Sequence, residues 1–224
     1  MSVLVDTSIL KNSRSNLMIL KEKIKSTTKI FERPFEELLE ESARLHGHLC
    51  AGQVLGVRLA VLGLRLLGID DPRGEDRKSF VVYVEIDRCA SDAIQSVTGC
   101  SLGKRSLRWV DYGIMAATFV HLKTGKAYRI VAREESRELS RKYCPEIEDK
   151  YRRQLKAYKL MSEDELFKVQ EVRVEVPAFD LPGRPIRRVQ CESCGDYVQD
   201  CREVEKDGKI LCRACAHGAY YRPR

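Results

Sequence analysis

From Pro34 onward the chain alternates between stretches of helical periodicity and stretches dense in β-branched residues. Phe35, Leu38, Leu39 and the segment 42–45 form one apolar face against Glu36, Glu37, Glu40 and Glu41. Pro34 suits the first turn of that helix, and the acids lie favourably near its positive end. The run His46, Gly47, His48, Leu49, Cys50, Ala51, Gly52 breaks the helix, because its two glycines open backbone conformations closed to other residues. The window 54–67 is the most apolar in the chain; it is too short to span a bilayer and carries Arg58 and Arg65, so it predicts a buried core helix. On this helix Gly52, Gly56 and Ala60 recur every four residues, a small-residue stripe that admits close approach of another element.

Ser79 to Asp87 gives the clearest strand pattern. A short helix follows, expected to begin near Ser91 or Asp92 and to stop at Gly99. Met115–Leu122 and Ala127–Arg133 predict two strands joined by a four-residue turn, Lys123 to Lys126. Charged helices are expected over Glu134–Lys142 and Glu146–Met161, with Pro145 between them, and Glu171–Val176 alternates as a strand. Residues 177–185 hold three prolines and a glycine, which marks a linker. The expected organisation is a helical appendage at 1–33, carrying Leu17, Leu20 and Ile24 at helical spacing, a core domain at 34–176, a linker at 177–186 and a small module at 187–224.

Composition excludes a disordered chain: 43% of the 224 residues are apolar and 33% charged. The net charge of +7 is concentrated in residues 101–160, with fifteen basic against seven acidic side chains. That stretch suits phosphate, nucleic acid or an acidic partner, or else is a solvated helical face. Residues 1–10 include Asp6 and show neither a basic start nor a long apolar run, so a cytoplasmic protein without membrane attachment is expected. Nine cysteines cannot all pair within one chain, and in the cytoplasm so many thiols point to metal binding or reactivity.

Four of them have the spacing of a metal site. Cys191 and Cys194, then seventeen residues, then Cys212 and Cys215 make two knuckles, with Asp207-Gly208 as the turn between them. Four thiolates leave no open position, so the expected ion is a structural zinc that a module this small needs in order to fold. Cys201 and His217 lie close by as alternative ligands. Zinc ribbons serve nucleic-acid binding, protein contact and plain stability, so this motif does not decide function.

The remaining thiols and imidazoles sit at the ends of elements, in His46 to Cys50 and in Cys89 to Cys100. Were those ends adjacent, His46, His48, Cys50, Cys89, Cys100 and Asp92 would converge into a metal or nucleophile site of mixed nitrogen and sulfur character. The plainer alternative treats the cysteines as small apolar core residues and the histidines as local hydrogen-bond partners. Cys144 reads as incidental and His121 as a structural histidine.

The run from His46 to Arg58 resembles the opening signature of the formylmethanofuran dehydrogenase FmdE family. So do Cys89, Ala90, Ser91, Asp92, Ala93, Ile94 and Gln95, then Thr98 through Lys104, then Asp111, Tyr112 and Gly113, with a four-cysteine ribbon at the end. Two positions depart from the family: it usually has proline where this chain has Ala51, and lysine where it has Ile114. The resemblance implies an α+β fold, a mixed helix and antiparallel-sheet core with the His/Cys loops lining a metal or active-site pocket, followed by a small four-cysteine zinc ribbon, and a homodimer. It links the chain to a molybdenum or tungsten enzyme that reduces carbon dioxide onto methanofuran, in which the FmdE component is not the catalytic one.

The leading reading is a metal-binding protein, accessory to molybdenum or tungsten enzyme subunits, with a second transition metal on His46, His48, Cys50, Cys89 and Cys100. In it Asp92 orients a histidine and Lys104 offers a cation to an anionic ligand. Two alternatives stay open. One is a stand-alone enzyme with His48, Cys50, Cys89 and Cys100 as candidate catalytic residues; the other is a nucleic-acid-binding regulator using the ribbon and the basic stretch, which is less favoured.

Overall fold

A computed structural model of the chain describes residues 29–222 and 224, so most of the expected 1–33 appendage lies outside the described residues. Helix α1, Phe35–His46, starts after Pro34 and ends at Gly47, which takes the left-handed conformation at φ +96°. Helix α2, Ala51–Leu67, follows at once and buries Val54, Val57, Leu59, Ala60 and Leu64. Helix α3, Cys89–Thr98, begins two residues before Ser91 and stops, as expected, at Gly99.

The small-residue stripe on α2 serves close packing. A Cβ on Gly56 would lie 2.6 Å from the Ala93 Cβ and 2.7 Å from the Ala90 carbonyl oxygen on α3. Only glycine lets the two helices approach this closely.

Strand β1, Phe80–Val84, lies inside a five-stranded sheet of order β2-β1-β3-β4-β5. Strand β2, Leu107–Trp109, runs parallel to β1 with Val82 opposite Leu107. Strands β3, Ala116–His121, β4, Ala127–Ala132, and β5, Phe167–Glu171, continue antiparallel. Phe80, Val82, Phe119 and Ile130 pack with the helices in the main core, while Val81, Val120 and Ala127 face a smaller cluster on the opposite side. The result is the expected α+β architecture, a sheet with its helical layer mainly on one face.

Three boundaries differ from expectation. The last core strand is Phe167–Glu171, earlier than Glu171–Val176; Val172 donates one bond to the Ala127 carbonyl at 2.9 Å, and Val172, Val174 and Val176 then alternate against the smaller cluster outside the regular ladder. Helix α4 is Glu135–Tyr143. Helix α5, Lys150–Leu160, starts later than Glu146 because the Asp149 carboxylate accepts from the Arg152 amide at 2.8 Å and caps it there. A short helix α6, Glu163–Leu166, carries a capping box between Ser162 and Glu165.

Much of the basicity of residues 101–160 is neutralised within the fold: Arg129 pairs with Glu85, Arg137 with Glu134, Arg141 with Glu138, Lys156 with Glu146 and Lys159 with Glu36. Among the described residues no helix is long and apolar enough to cross a membrane.

The proline-rich segment is docked onto the core. Arg105 and Arg108 donate to the Phe179 and Asp180 carbonyls, and the Arg202 guanidinium lies 2.9 Å from the Asp180 carboxylate. Arg105 also pairs with Asp200 at 2.7 Å. The module beyond consists of two hairpins, β6, Arg188–Gln190, with β7, Tyr197–Gln199, and β8, Val204–Lys206, with β9, Lys209–Leu211, then helix α7, Arg213–His217. Asp207 at φ +52° and Gly208 at φ +73° join β8 to β9, both in the left-handed region that a type I′ turn requires.

Gly56→Val is expected to destabilise the core by about 3 kcal/mol, since its Cβ would meet backbone that cannot swing aside. The midpoint of urea unfolding measures this, and an unchanged midpoint would contradict the close-packing account.

Candidate functional site

The loop between α1 and α2 is short because both helices end sharply on it. Gly47 donates to the Ala43 carbonyl at 2.8 Å, and the Cys50 carbonyl starts α2 by accepting from Gln53 at 3.1 Å and Val54 at 3.3 Å. His46, His48 and Cys50 thereby present ligand atoms that all lie within 4.8 Å of one another. The two imidazole centroids are 4.6 Å apart.

Asp92, on the first turn of α3, places its Oδ2 2.7 Å from His46 Nδ1. This fixes the ring and leaves Nε2 as the free nitrogen. That Nε2 is buried and has no hydrogen-bond partner. An unpartnered buried polar atom costs about 1–3 kcal/mol, and a carboxylate holding the far nitrogen of a histidine is the arrangement that orients imidazole ligands in metal sites. Two imidazoles and a thiol fit a borderline or soft transition ion.

Cys89 joins this group through α3. Gly52 lies between the two thiols: a Cβ there would be 2.9 Å from the Cys89 Cβ, 3.6 Å from its sulfur and 3.7 Å from the Cys50 sulfur. Cys50 precedes the first residue of α2 and Cys89 is the first residue of α3, so both thiols lie at helix N-termini. Burial pushes the Cys89 thiol up, and the hydrogen bond and charge of Cys50 push it further. A thiol pushed up in this way lacks the lowered pKa that marks an activated nucleophile.

Cys100 and Lys104 do not reach this site. Cys100 is buried in the core at the other end of α3, a helix about 15 Å long. Its burial raises the thiol pKa, and its amide donates to Thr98 Oγ1 at 3.1 Å. Lys104 folds back onto the Gly99 carbonyl at 2.8 Å. Cys144 is buried in the core, and His121 Nδ1 accepts from the Lys123 amide at 3.2 Å, a local structural role.

One residue without an evident role in the sequence holds the site together. Gln53 is fully buried, accepts from the Ser42 hydroxyl of α1 and donates to the Cys89 carbonyl at 2.6 Å. It ties α1, α2 and α3 at the level of the cluster. Its signal was present: a lone amide in an otherwise apolar helix face. Beside the cluster opens a cavity of about 700 Å³, with Cys50, Gly52 and Cys89 on one wall and Arg88, Arg133, Glu134 and Tyr151 among the residues around it. Gly113 also lines it; its neighbour Ile114, where the family usually has lysine, is exposed.

The second group is Cys191, Cys194, Cys212 and Cys215, whose sulfurs all lie within 4.8 Å of one another. Cys194 and Cys212 are 3.9 Å apart, close to the roughly 3.8 Å sulfur separation that tetrahedral zinc–thiolate bonds of about 2.3 Å imply. The backbone amides of Cys194 and then Cys212 pull the Cys191 thiol down to about 6. Cys194, despite the amide of Asp196, is pushed up to about 12 beside the Cys191 sulfur. Four sulfurs in one small volume cannot all ionise without a cation, and a divalent ion removes that conflict. Cys201 and His217 stay outside this group.

Three comparisons bear on these groups. Residues 45–175 match the family described as FmdE, molybdenum formylmethanofuran dehydrogenase operon. A probable S-adenosyl-L-methionine-binding protein of Archaeoglobus fulgidus is 33% identical over 206 residues, covering 82% of this chain and 53% of its own length, so the chain spans about half of that relative. A tungsten formylmethanofuran dehydrogenase FmdE-like protein of Syntrophus aciditrophicus superposes with a TM-score of 0.57 at 19% identity, over 86% of this chain and 97% of that one; at that identity the likeness concerns the fold.

Replacing Gln53 by Leu strands the Ser42 hydroxyl and the Cys89 carbonyl, a loss of about 2–6 kcal/mol at about 1–3 kcal/mol for each buried group. Denaturant titration of the variant checks this; a stability equal to wild type would show that the amide is dispensable.

Proposed function

The chain belongs to the FmdE family, and we propose that it is a two-metal member with a structural zinc in the ribbon and a soft transition metal on His46 Nε2, His48 and Cys50, with Cys89 beside them. The observation that carries this reading is the buried, unpartnered Nε2 of a histidine whose other nitrogen is already fixed by Asp92. When bound, such a metal supplies an open coordination position for a donor atom of a small molecule. The chain's own residues do the rest. Asp92 sets the tautomer and direction of His46, Gln53 holds α3 so that Cys89 stays beside Cys50, and the cavity beyond receives the small molecule. In the cell we place the protein in the cytoplasm, as a homodimer accessory to molybdenum or tungsten enzyme subunits.

Metal content of the purified protein tests the two-site reading. Wild type is expected to hold two metal equivalents per chain and His48→Ala/Cys50→Ala one, with the ribbon ion retained. Asp92→Asn should weaken the core metal by about 10–100-fold, as loss of an outer carboxylate does elsewhere. One equivalent in both wild type and double variant would remove the second centre.

A second reading has a specific support. The Archaeoglobus fulgidus relative that matches this chain is named a probable S-adenosyl-L-methionine-binding protein, and the cavity beside Cys50 and Cys89 carries the groups such a ligand needs. Glu134, once drawn from its exposed pair with Arg137, and the Tyr151 ring suit a sulfonium cation, and Arg88 and Arg133 suit a carboxylate. Equilibrium dialysis with S-adenosyl-L-methionine is expected to show one site per chain, weakened at least tenfold by Glu134→Ala, a loss of about 1.4 kcal/mol. Undiminished binding to the variant would place the ligand elsewhere.

A further inference from the structure

At the end of α3 opposite the His/Cys cluster a second cavity, of about 430 Å³, opens between the core and the proline-rich segment. Its cationic side chains are Arg73, Arg77, Lys78, Lys104 and Arg184, and no acidic side chain lines it among the described residues. Two of the five do structural work. Arg73 donates to the Ser96 carbonyl and reaches Glu41 at 2.7 Å, while Lys104 donates to the Gly99 carbonyl at 2.8 Å; together they offset the negative end of α3.

The other three have no such task. Arg77 reaches only the Gly74 carbonyl, at 3.1 Å, and Lys78 and Arg184 have no acceptor or counter-ion among the described residues. Arg184 is brought to Lys78 from more than a hundred residues along the chain, in a segment already pinned to the core by Arg105 and Arg108. Gathering like charges in one concave place is unfavourable unless an anion neutralises them.

The lining also narrows the ligand. Among the described residues no aromatic ring faces the cavity, so none of them would stack on a base there, and its remaining walls are Pro72, Pro182 and three glycines. The charges converge on one hollow instead of tracking along a groove, as a nucleic-acid backbone would require. We propose that this cavity binds a compact polyphosphate group, free or carried by a small organic ester, and that the bound anion clamps residues 182–184 onto the core. The site is separate from the His/Cys cluster and does not depend on a metal there.

Titration calorimetry of the full chain at low salt, with inorganic pyrophosphate as the probe, tests this. The expected result is one saturable site per chain, with inorganic phosphate weaker. Lys78→Ala/Arg184→Ala should weaken it about a hundredfold, since each lost charge-assisted contact corresponds to about tenfold or more. Both side chains are exposed and unpartnered, so a melting temperature no lower than that of wild type should confirm that the variant is folded. Proteinase K cleavage within 177–186 should slow on adding pyrophosphate to wild type and not to the variant. Absence of saturable binding, or equal binding by the variant, overturns the proposal; so does a single-stranded oligonucleotide that binds more tightly than pyrophosphate and displaces it, because the surface would then be a nucleic-acid contact.

Discussion

Helices α2 and α3 meet where Gly56 has no side chain, and the core site exists because they can. A Cβ at Gly56 would fall 2.6 Å from that of Ala93, and one at Gly52 would fall 2.9 Å from that of Cys89. Two small residues, one turn apart, therefore set the separation of the N-termini that carry Cys50 and Cys89. Gln53 lies between them and spends its amide on Ser42 and the Cys89 carbonyl, which fixes the third helix in the same plane. Moving the helices apart would separate Asp92 from His46 and leave the imidazole free to turn.

The same constraint explains how much of the site was legible in the sequence. The ribbon cysteines were readable as a set, because a two-residue gap in each knuckle and one hairpin bring them together whatever the core does. The His46 to Cys50 bend was readable because Gly47 ends α1 locally. Cys89 and Cys100 looked equivalent, belonging to one motif, but the helix starts at Cys89 and carries Cys100 a full helix length away into the core. Lys104 was misplaced for the same reason. Strand β2 was not readable at all: three residues gain their strand character from a parallel pairing with β1, not from their own pattern. The docking of residues 177–186 was equally hidden, since Arg105 and Arg108 gave no sign of reaching carbonyls more than seventy residues away.

The two cysteine-bearing groups differ in what they offer an ion. The ribbon group is four sulfurs and nothing else, a set that could hold a dication with no coordination position left open. The core group mixes imidazole with thiol, borders a cavity, and has one nitrogen buried without a partner. On the proposed reading the first holds a small module together, and the second is where a small molecule would meet a metal. Their common membership in one chain is the basis for reading it as a two-metal protein of the FmdE family.

Anomalous diffraction from crystals of the metal-loaded protein tests that reading most directly. The account predicts two peaks per chain, one enclosed by the sulfurs of Cys191, Cys194, Cys212 and Cys215, the other bonded to His46 Nε2, His48 and Cys50. A single peak in the ribbon, with His46 Nε2 hydrogen-bonded to a protein group or to water, would contradict it.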